Sequence, residues 1–170
     1  YYQAIYDTFA RRAAASGGPA AFIMQMPLRQ AASCLPAMRE ILIAKDEIQL
    51  HDEFDSDADS SALAGLLIEP EDRRMSILNT PLDVDTKFDE FVASLREALA
   101  VGSGQAMVFS FFRKTLEYLQ RRLSGEFRVG LMYGPTPTED RQTIIADFRA
   151  GKFDVLLCSE VGSEGLDFQF

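Results

Sequence analysis

The second half of the sequence predicts a parallel α/β fold, and three observations carry that expectation. Val155 to Cys158 is a continuous apolar run, the pattern of a strand buried on both faces of a sheet. Two further β-rich runs, Ala106 to Phe111 and Val129 to Tyr133, precede it, with a helix-length amphipathic stretch between each pair. The connections are short, and an order α-β-α-β-α-β with short connections yields parallel strands covered by helices.

The elements follow in chain order. Tyr2, Ile5, Tyr6 and Phe9 fall at helical spacing, and Ser16-Gly17-Gly18-Pro19 stops that helix. A second helical stretch runs from about Ala20 to Ile43, with interruptions expected near Pro27 and Pro36. An acidic segment follows, Asp46, Glu47, Asp52, Glu53, Asp55, Asp57 and Asp59 with Ser60 and Ser61, and reads as a solvated linker over about 46–62. Residues 63–82 are ambiguous, with a short helix expected near Glu71–Leu78. Phe88, Phe91, Val92, Leu95 and Leu99 then form an apolar helical stripe, with Thr86 and Asp89 as its expected capping box. Val101-Gly102-Ser103-Gly104 is a turn into the first strand, whose Phe109 and Phe111, with Phe112, are expected to fill core. Phe112, Leu116, Leu119 and Leu123 mark the next helix, ended near Gly125. After the second strand, Thr136 as cap, Pro137 at the first helical position and Glu139 at the third predict a helix start. That helix buries Ile144, Ile145 and Phe148 and ends at Gly151. Two domains result, a helical lead-in over 1–85 and an α/β unit over 86–170.

At 170 residues, 47% of them apolar, the chain supports one packed domain with extra helices and excludes disorder. No apolar run nears the ~20 residues of a membrane span, so no membrane partner is expected. The start at Tyr1 and the end at Phe170 read as those of a piece of a longer protein. Net charge is −9; residues 1–85 hold seven basic and fourteen acidic side chains, residues 86–170 ten and twelve. That balance argues against a bare nucleic-acid-binding module but not against an enzyme whose basic groove is built partly elsewhere. Cys34 and Cys158 lie in apolar contexts without metal-ligand spacing, as expected of reduced core thiols in a cytoplasmic protein. Asp52-Glu53-Phe54-Asp55 looks like an acidic Mg²⁺ box but has no buried strand before it; it and His51 read as linker, and no metal site is expected.

The strand Val155–Cys158 opens into a Gly-spaced acidic loop, at the sheet end where open α/β folds bind ligands. At this point the residues resemble a known family. Gln105 to Phe170 is similar to the second RecA-like lobe of superfamily 2 helicases and translocases, a P-loop NTPase-type parallel sheet, and among these most resembles Snf2-like ATPases. Met107-Val108-Phe109-Ser110-Phe111-Phe112-Arg113-Lys114-Thr115-Leu116 resembles motif IV, and Leu157 to Gln169 resembles motif V, within which the chain ends. Tyr133-Gly134, Glu139-Asp140-Arg141 and Phe148-Arg149-Ala150-Gly151 resemble the unit between them, with Tyr133 where many relatives have His. Leu28-Arg29-Gln30 followed by Pro36 resembles the helical element that precedes this lobe in Snf2-like proteins.

The resemblance implies part of a nucleic-acid-dependent ATPase that uses ATP and Mg²⁺ in its full-length form, paired with a first RecA-like lobe and acting on double-stranded DNA. It implies that Gly165, Asp167 and Gln169 face the nucleotide, and that Ser110, Arg113, Lys114, Ser159, Glu160 and Gly162 face nucleic acid. Arg113 and Lys114 lean to backbone contact, whereas Arg121 and Arg122, in the same cluster as Arg128, lean to a solvated helix face. No G-x-x-x-x-G-K-[ST] phosphate loop occurs in these 170 residues, and Gly151-Lys152-Phe153 lacks its hydroxyl. No catalytic residue is therefore assigned within the chain, and these residues alone are expected to bind no cofactor. A non-catalytic α/β module that binds a small ligand or protein partner at the same sheet edge is the alternative. The remodelled partner stays open.

Overall fold

The computed structural model describes residues 2–16, 20–43, 82, 84–134 and 136–159. The chain divides into two compact units, Tyr1–Leu82 and Asp83–Phe170.

In the first unit α1 (Tyr2–Ser16), α2 (Ala20–Ser33) and α3 (Leu35–Ile43) pack consecutively. Ile5, Pro27, Gln30, Ala31, Cys34, Ala37, Met38, Ile41 and Leu42 are buried. The expected interruption at Pro27 does not occur: α2 runs through it. An interior proline costs a helix about 3 kcal/mol, so this one persists where its ring is fully buried. The interruption near Pro36 does occur, as a one-residue break at Cys34 between α2 and α3. Pro36 sits in the first turn of α3, where an N–H has no partner to lose, and Met38 N still donates to Cys34 O at 3.0 Å. The acidic segment and the expected helix near Glu71–Leu78 lie outside the described residues.

The second unit holds α4 (Thr86–Val101), β1 (Ala106–Phe109), α5 (Arg113–Leu123), β2 (Val129–Met132), α6 (Thr138–Arg149) and β3 (Val155–Cys158). The three strands form one parallel sheet in the order β1-β3-β2, a mixed α/β arrangement of the RecA-like kind. In β3, all four residues are buried. Its alternation explains this: Val155 and Leu157 enter one core with Val92, Leu95, Leu116 and Leu123, whereas Leu156 and Cys158 enter another with Met132 and Phe148. Helices α4 and α5 thus cover one face and α6 the other. The continuous apolar run of β3 is what two covered faces require.

Several local expectations are corrected. Strand β1 stops at Phe109 and β2 at Met132, short of Phe111 and Tyr133. Phe112 is buried, but Phe109 and Phe111 are 50% and 41% exposed, because both lie at the carboxyl rim beyond the two cores. Helix α4 is capped by Asp85, not Thr86: its carboxylate accepts from Phe88 N at 3.1 Å and from the Tyr118 hydroxyl at 2.6 Å. Helix α6 has Pro137 at its cap with no side-chain bond there. The Thr136 hydroxyl turns back instead to accept from Tyr133 N at 3.2 Å. Gly151, at φ +72°, closes α6: its N–H reaches Phe148 O and that of Lys152 reaches Asp147 O, so the last carbonyls are satisfied.

Candidate nucleic-acid interface

Parallel strands deliver their carboxyl ends to one rim, and here that rim is tied together residue by residue. Ser110, just past β1, donates its N–H to Cys158 O at 3.0 Å; Ser159, just past β3, donates its own to Met132 O at 3.0 Å. Ser110, Ser159 and Tyr133 therefore share one row. The Ser110 hydroxyl accepts from Phe112 N at 3.2 Å, satisfying an amide that opens α5. Ser159 is 95% buried, so its hydroxyl lies beneath the rim rather than on it. Glu160, Gly162, Gly165, Asp167 and Gln169 lie outside the described residues, and with them the expected nucleotide contacts and two of the six expected nucleic-acid contacts.

Arg113 and Lys114 form the first turn of α5, over this row. The Arg113 guanidinium lies 4.4 Å above the centre of the Tyr133 ring, a contact of about 1 kcal/mol at a largely buried site. It also donates to the Glu117 carboxylate at 3.0 Å, and Lys114 Nζ reaches the other oxygen of the same carboxylate at 2.8 Å. Burial pushes the Glu117 carboxyl up, but Lys114 first and Arg113 second outweigh it and hold the group below its ordinary range. Burial pushes Arg113 down, but Tyr133 and Glu117 outweigh it and raise the guanidinium further.

This charge order is costly for a helix. The amino end of a helix favours anions, yet the first turn of α5 has two cations and no acid, and its basic-before-acidic pairs have the less favourable orientation. Such pairs contribute only about 0.2–0.5 kcal/mol each. By contrast α6 has Glu139 and Asp140 in its first turn and Arg149 in its last. Two cations are thus held against the dipole, beside an aromatic ring and one shared carboxylate, at the carboxyl rim of the sheet.

Three other cations of this unit are used structurally. Arg122 lies 4.1 Å over the Phe88 ring and donates to the Tyr118 hydroxyl at 2.8 Å. Arg128 pairs with Asp154 at the opposite end of the sheet. Arg141 holds the turn before α6, donating to Thr136 O at 2.8 Å and to Gly134 O. Glu117 and Tyr133 were not among the expected contacts. The four-residue step from Arg113 to Glu117 signals the first; nothing local signals the second, which lies 20 residues away. Among the described residues no group of three His, Cys, Asp or Glu side chains could hold a metal, and no helix is long and apolar enough to cross a membrane.

Residues 87–170 match the helicase conserved C-terminal domain family. The chain is 32% identical over 84 residues to the ATP-dependent RNA helicase fal1 of Schizosaccharomyces pombe, covering 49% of this chain and 21% of that protein. It is 34% identical over 86 residues to the ATP-dependent RNA helicase eIF4A of Debaryomyces hansenii, covering 50% and 21%. A longer match, 27% over 139 residues, covers 81% of this chain and 34% of the ATP-dependent RNA helicase FAL1 of Vanderwaltozyma polyspora. The chain thus spans between a fifth and a third of these curated relatives. They are named as RNA helicases rather than Snf2-like proteins.

Proposed function

We propose that residues 87–170, a helicase C-terminal domain, act as the second lobe of a nucleic-acid-dependent ATPase and grip the nucleic-acid backbone at the carboxyl rim of the sheet. The observation that carries this reading is the pair Arg113 and Lys114, gathered at the positive end of α5 beside Tyr133. A guanidinium and an ammonium there give phosphate oxygens charge-assisted bonds, each stronger than the helical ion pair it replaces. Contacts of this kind hold the backbone without reading bases, which suits a motor that must move along any sequence.

In this reading, ATP is held between this lobe and a first lobe, with Gly165, Asp167 and Gln169 facing it and Mg²⁺ held from the other side. ATP hydrolysis supplies the free energy for lobe closure and reopening. This chain contributes the grip that changes as the lobes move. The two cysteines, free and buried, suit a reducing cytoplasmic setting.

The relatives' names as RNA helicases favour RNA as the strand gripped. The Leu28-Arg29-Gln30 and Pro36 element, at the junction of α2 and α3, favours the Snf2-like reading with double-stranded DNA. ATP turnover by the full-length parent protein separates the two, measured with single-stranded RNA and with duplex DNA beside Asp167→Ala. Stimulation by RNA, lost in the variant, supports the helicase reading; stimulation by duplex DNA alone supports the Snf2-like one. No turnover with either overturns both in favour of a non-catalytic binding module.

A further inference from the structure

Each element of the rim cluster has a partner that explains its position, except that one carboxylate serves two cations at once. Glu117 receives Arg113 on one oxygen and Lys114 on the other. All three side chains are only 20–27% exposed, so the cluster is screened less than an open surface pair. The tyrosine beneath Arg113 keeps the guanidinium plane at the rim whichever anion it binds, with its hydroxyl 3.4 Å from the guanidinium.

We infer that Glu117 is an internal counter-anion that occupies the phosphate-binding positions of Arg113 and Lys114 until a nucleic-acid phosphate displaces it, and so sets how tightly the rim grips. The inference rests on the proposed nucleic-acid interface. Two carboxylate oxygens stand in for two phosphate oxygens: both present planar or near-planar pairs of acceptors to an Arg fork and a neighbouring ammonium. With Glu117 in place the cluster has a net charge of one positive unit rather than two, so the grip is moderate and releasable, as repeated stepping along a strand requires. Nearby positive charge also keeps Glu117 ionised through the physiological range, so the counter-anion is present whenever the motor works.

The test is binding of a labelled single-stranded RNA, and separately a DNA duplex, to the full-length protein across a salt series. Four forms are compared: wild type, Glu117→Gln, Arg113→Ala with Lys114→Ala, and the triple variant. Glu117→Gln is expected to tighten binding roughly threefold to tenfold at low salt and to steepen the salt dependence by about 0.7 for a single strand. The double variant is expected to weaken binding, and the glutamine is expected to add nothing to it. Unchanged or weakened binding by Glu117→Gln, while the double variant still loses affinity, overturns the counter-anion but leaves the interface. A glutamine effect that persists in the triple variant overturns it as well, since the effect then bypasses the two cations. A double variant that binds like wild type instead removes the interface itself. Melting curves accompany each form, and a Glu117→Asp variant, which keeps the charge, is expected to bind within about twofold of wild type.

Discussion

The Asp154 carboxylate accepts from the Arg128 backbone N–H at 2.8 Å and from Arg128 Nε at 3.1 Å, with a further bond from the guanidinium end. Arg128 O accepts from Asp154 N in return, at 2.8 Å, so two residues lock the amino ends of β2 and β3 in register. The Arg128 side-chain bond, then its backbone N–H, hold the Asp154 carboxyl below its ordinary value of 3.8. A depressed carboxyl pKa contributes stability that is complete above the unfolded value and lost as pH falls through the folded one. Asp154→Asn is therefore expected to lower the melting temperature by a few degrees at neutral pH. The gap between variant and wild type should close as pH drops below about 4, read by circular dichroism against pH. A gap that stays constant down to acid would mean that geometry, not charge, sets the register. Cys158 shows the opposite effect: burial alone pushes its thiol up to about 12, so it stays protonated and unreactive in the folded protein.

At the scale of elements, the sheet is most demanding where β2 passes under Phe153. Gly130 lies opposite Leu156, and a Cβ there would come within 2.9 Å of Phe153 Cδ2 and 3.0 Å of Leu156 Cδ1. The ring sits in the space that a side chain would need. Gly130→Ala is expected to cost about 1–3 kcal/mol in denaturant unfolding, with Phe153→Leu recovering part of it in the double variant. This requirement was not legible in the sequence, where Gly130 is one position of a strand run from Val129 to Tyr133; it comes from a residue 23 positions away. What was legible shares one property: it rests on periodicity. Strand β3 and the stripes of α4, α5 and α6 announce themselves because each buries a repeating face. Caps and strand ends depend on single hydrogen bonds between competing neighbours. Thus Asp85 displaced Thr86, and Thr136 served the turn rather than the helix. The site divides the same way. Arg113 and Lys114 were candidates from their place at a strand's end, whereas the placing of Tyr133 beneath Arg113 depends on the β1-β3-β2 strand order.

At the scale of the whole molecule, the proposed function gives the chain a grip and leaves the drive to a first lobe. Phosphoryl transfer from ATP depends on positioned backbone amides, a lysine and a bound Mg²⁺ around the terminal phosphates. These 170 residues contain no phosphate-cradling loop, and the nearest sequence, Gly151-Lys152-Phe153, already has its glycine committed to ending α6. That glycine takes φ +72° to close the helix, and the Lys152 ammonium is paired with Asp147 at 2.7 Å. Neither group is placed to receive a phosphate. The 170-residue polypeptide by itself is therefore expected to show no ATP turnover above buffer, with or without RNA, in a phosphate-release assay. Its Arg113 and Lys114 are nevertheless expected to confer a salt-sensitive RNA affinity that the Arg113→Ala, Lys114→Ala form lacks. Turnover by this polypeptide alone would mean that the chemistry is assembled within it, and the division of labour between two lobes would have to be abandoned. Salt-sensitive binding without turnover is what a lobe that holds the strand while its partner drives the cycle must show.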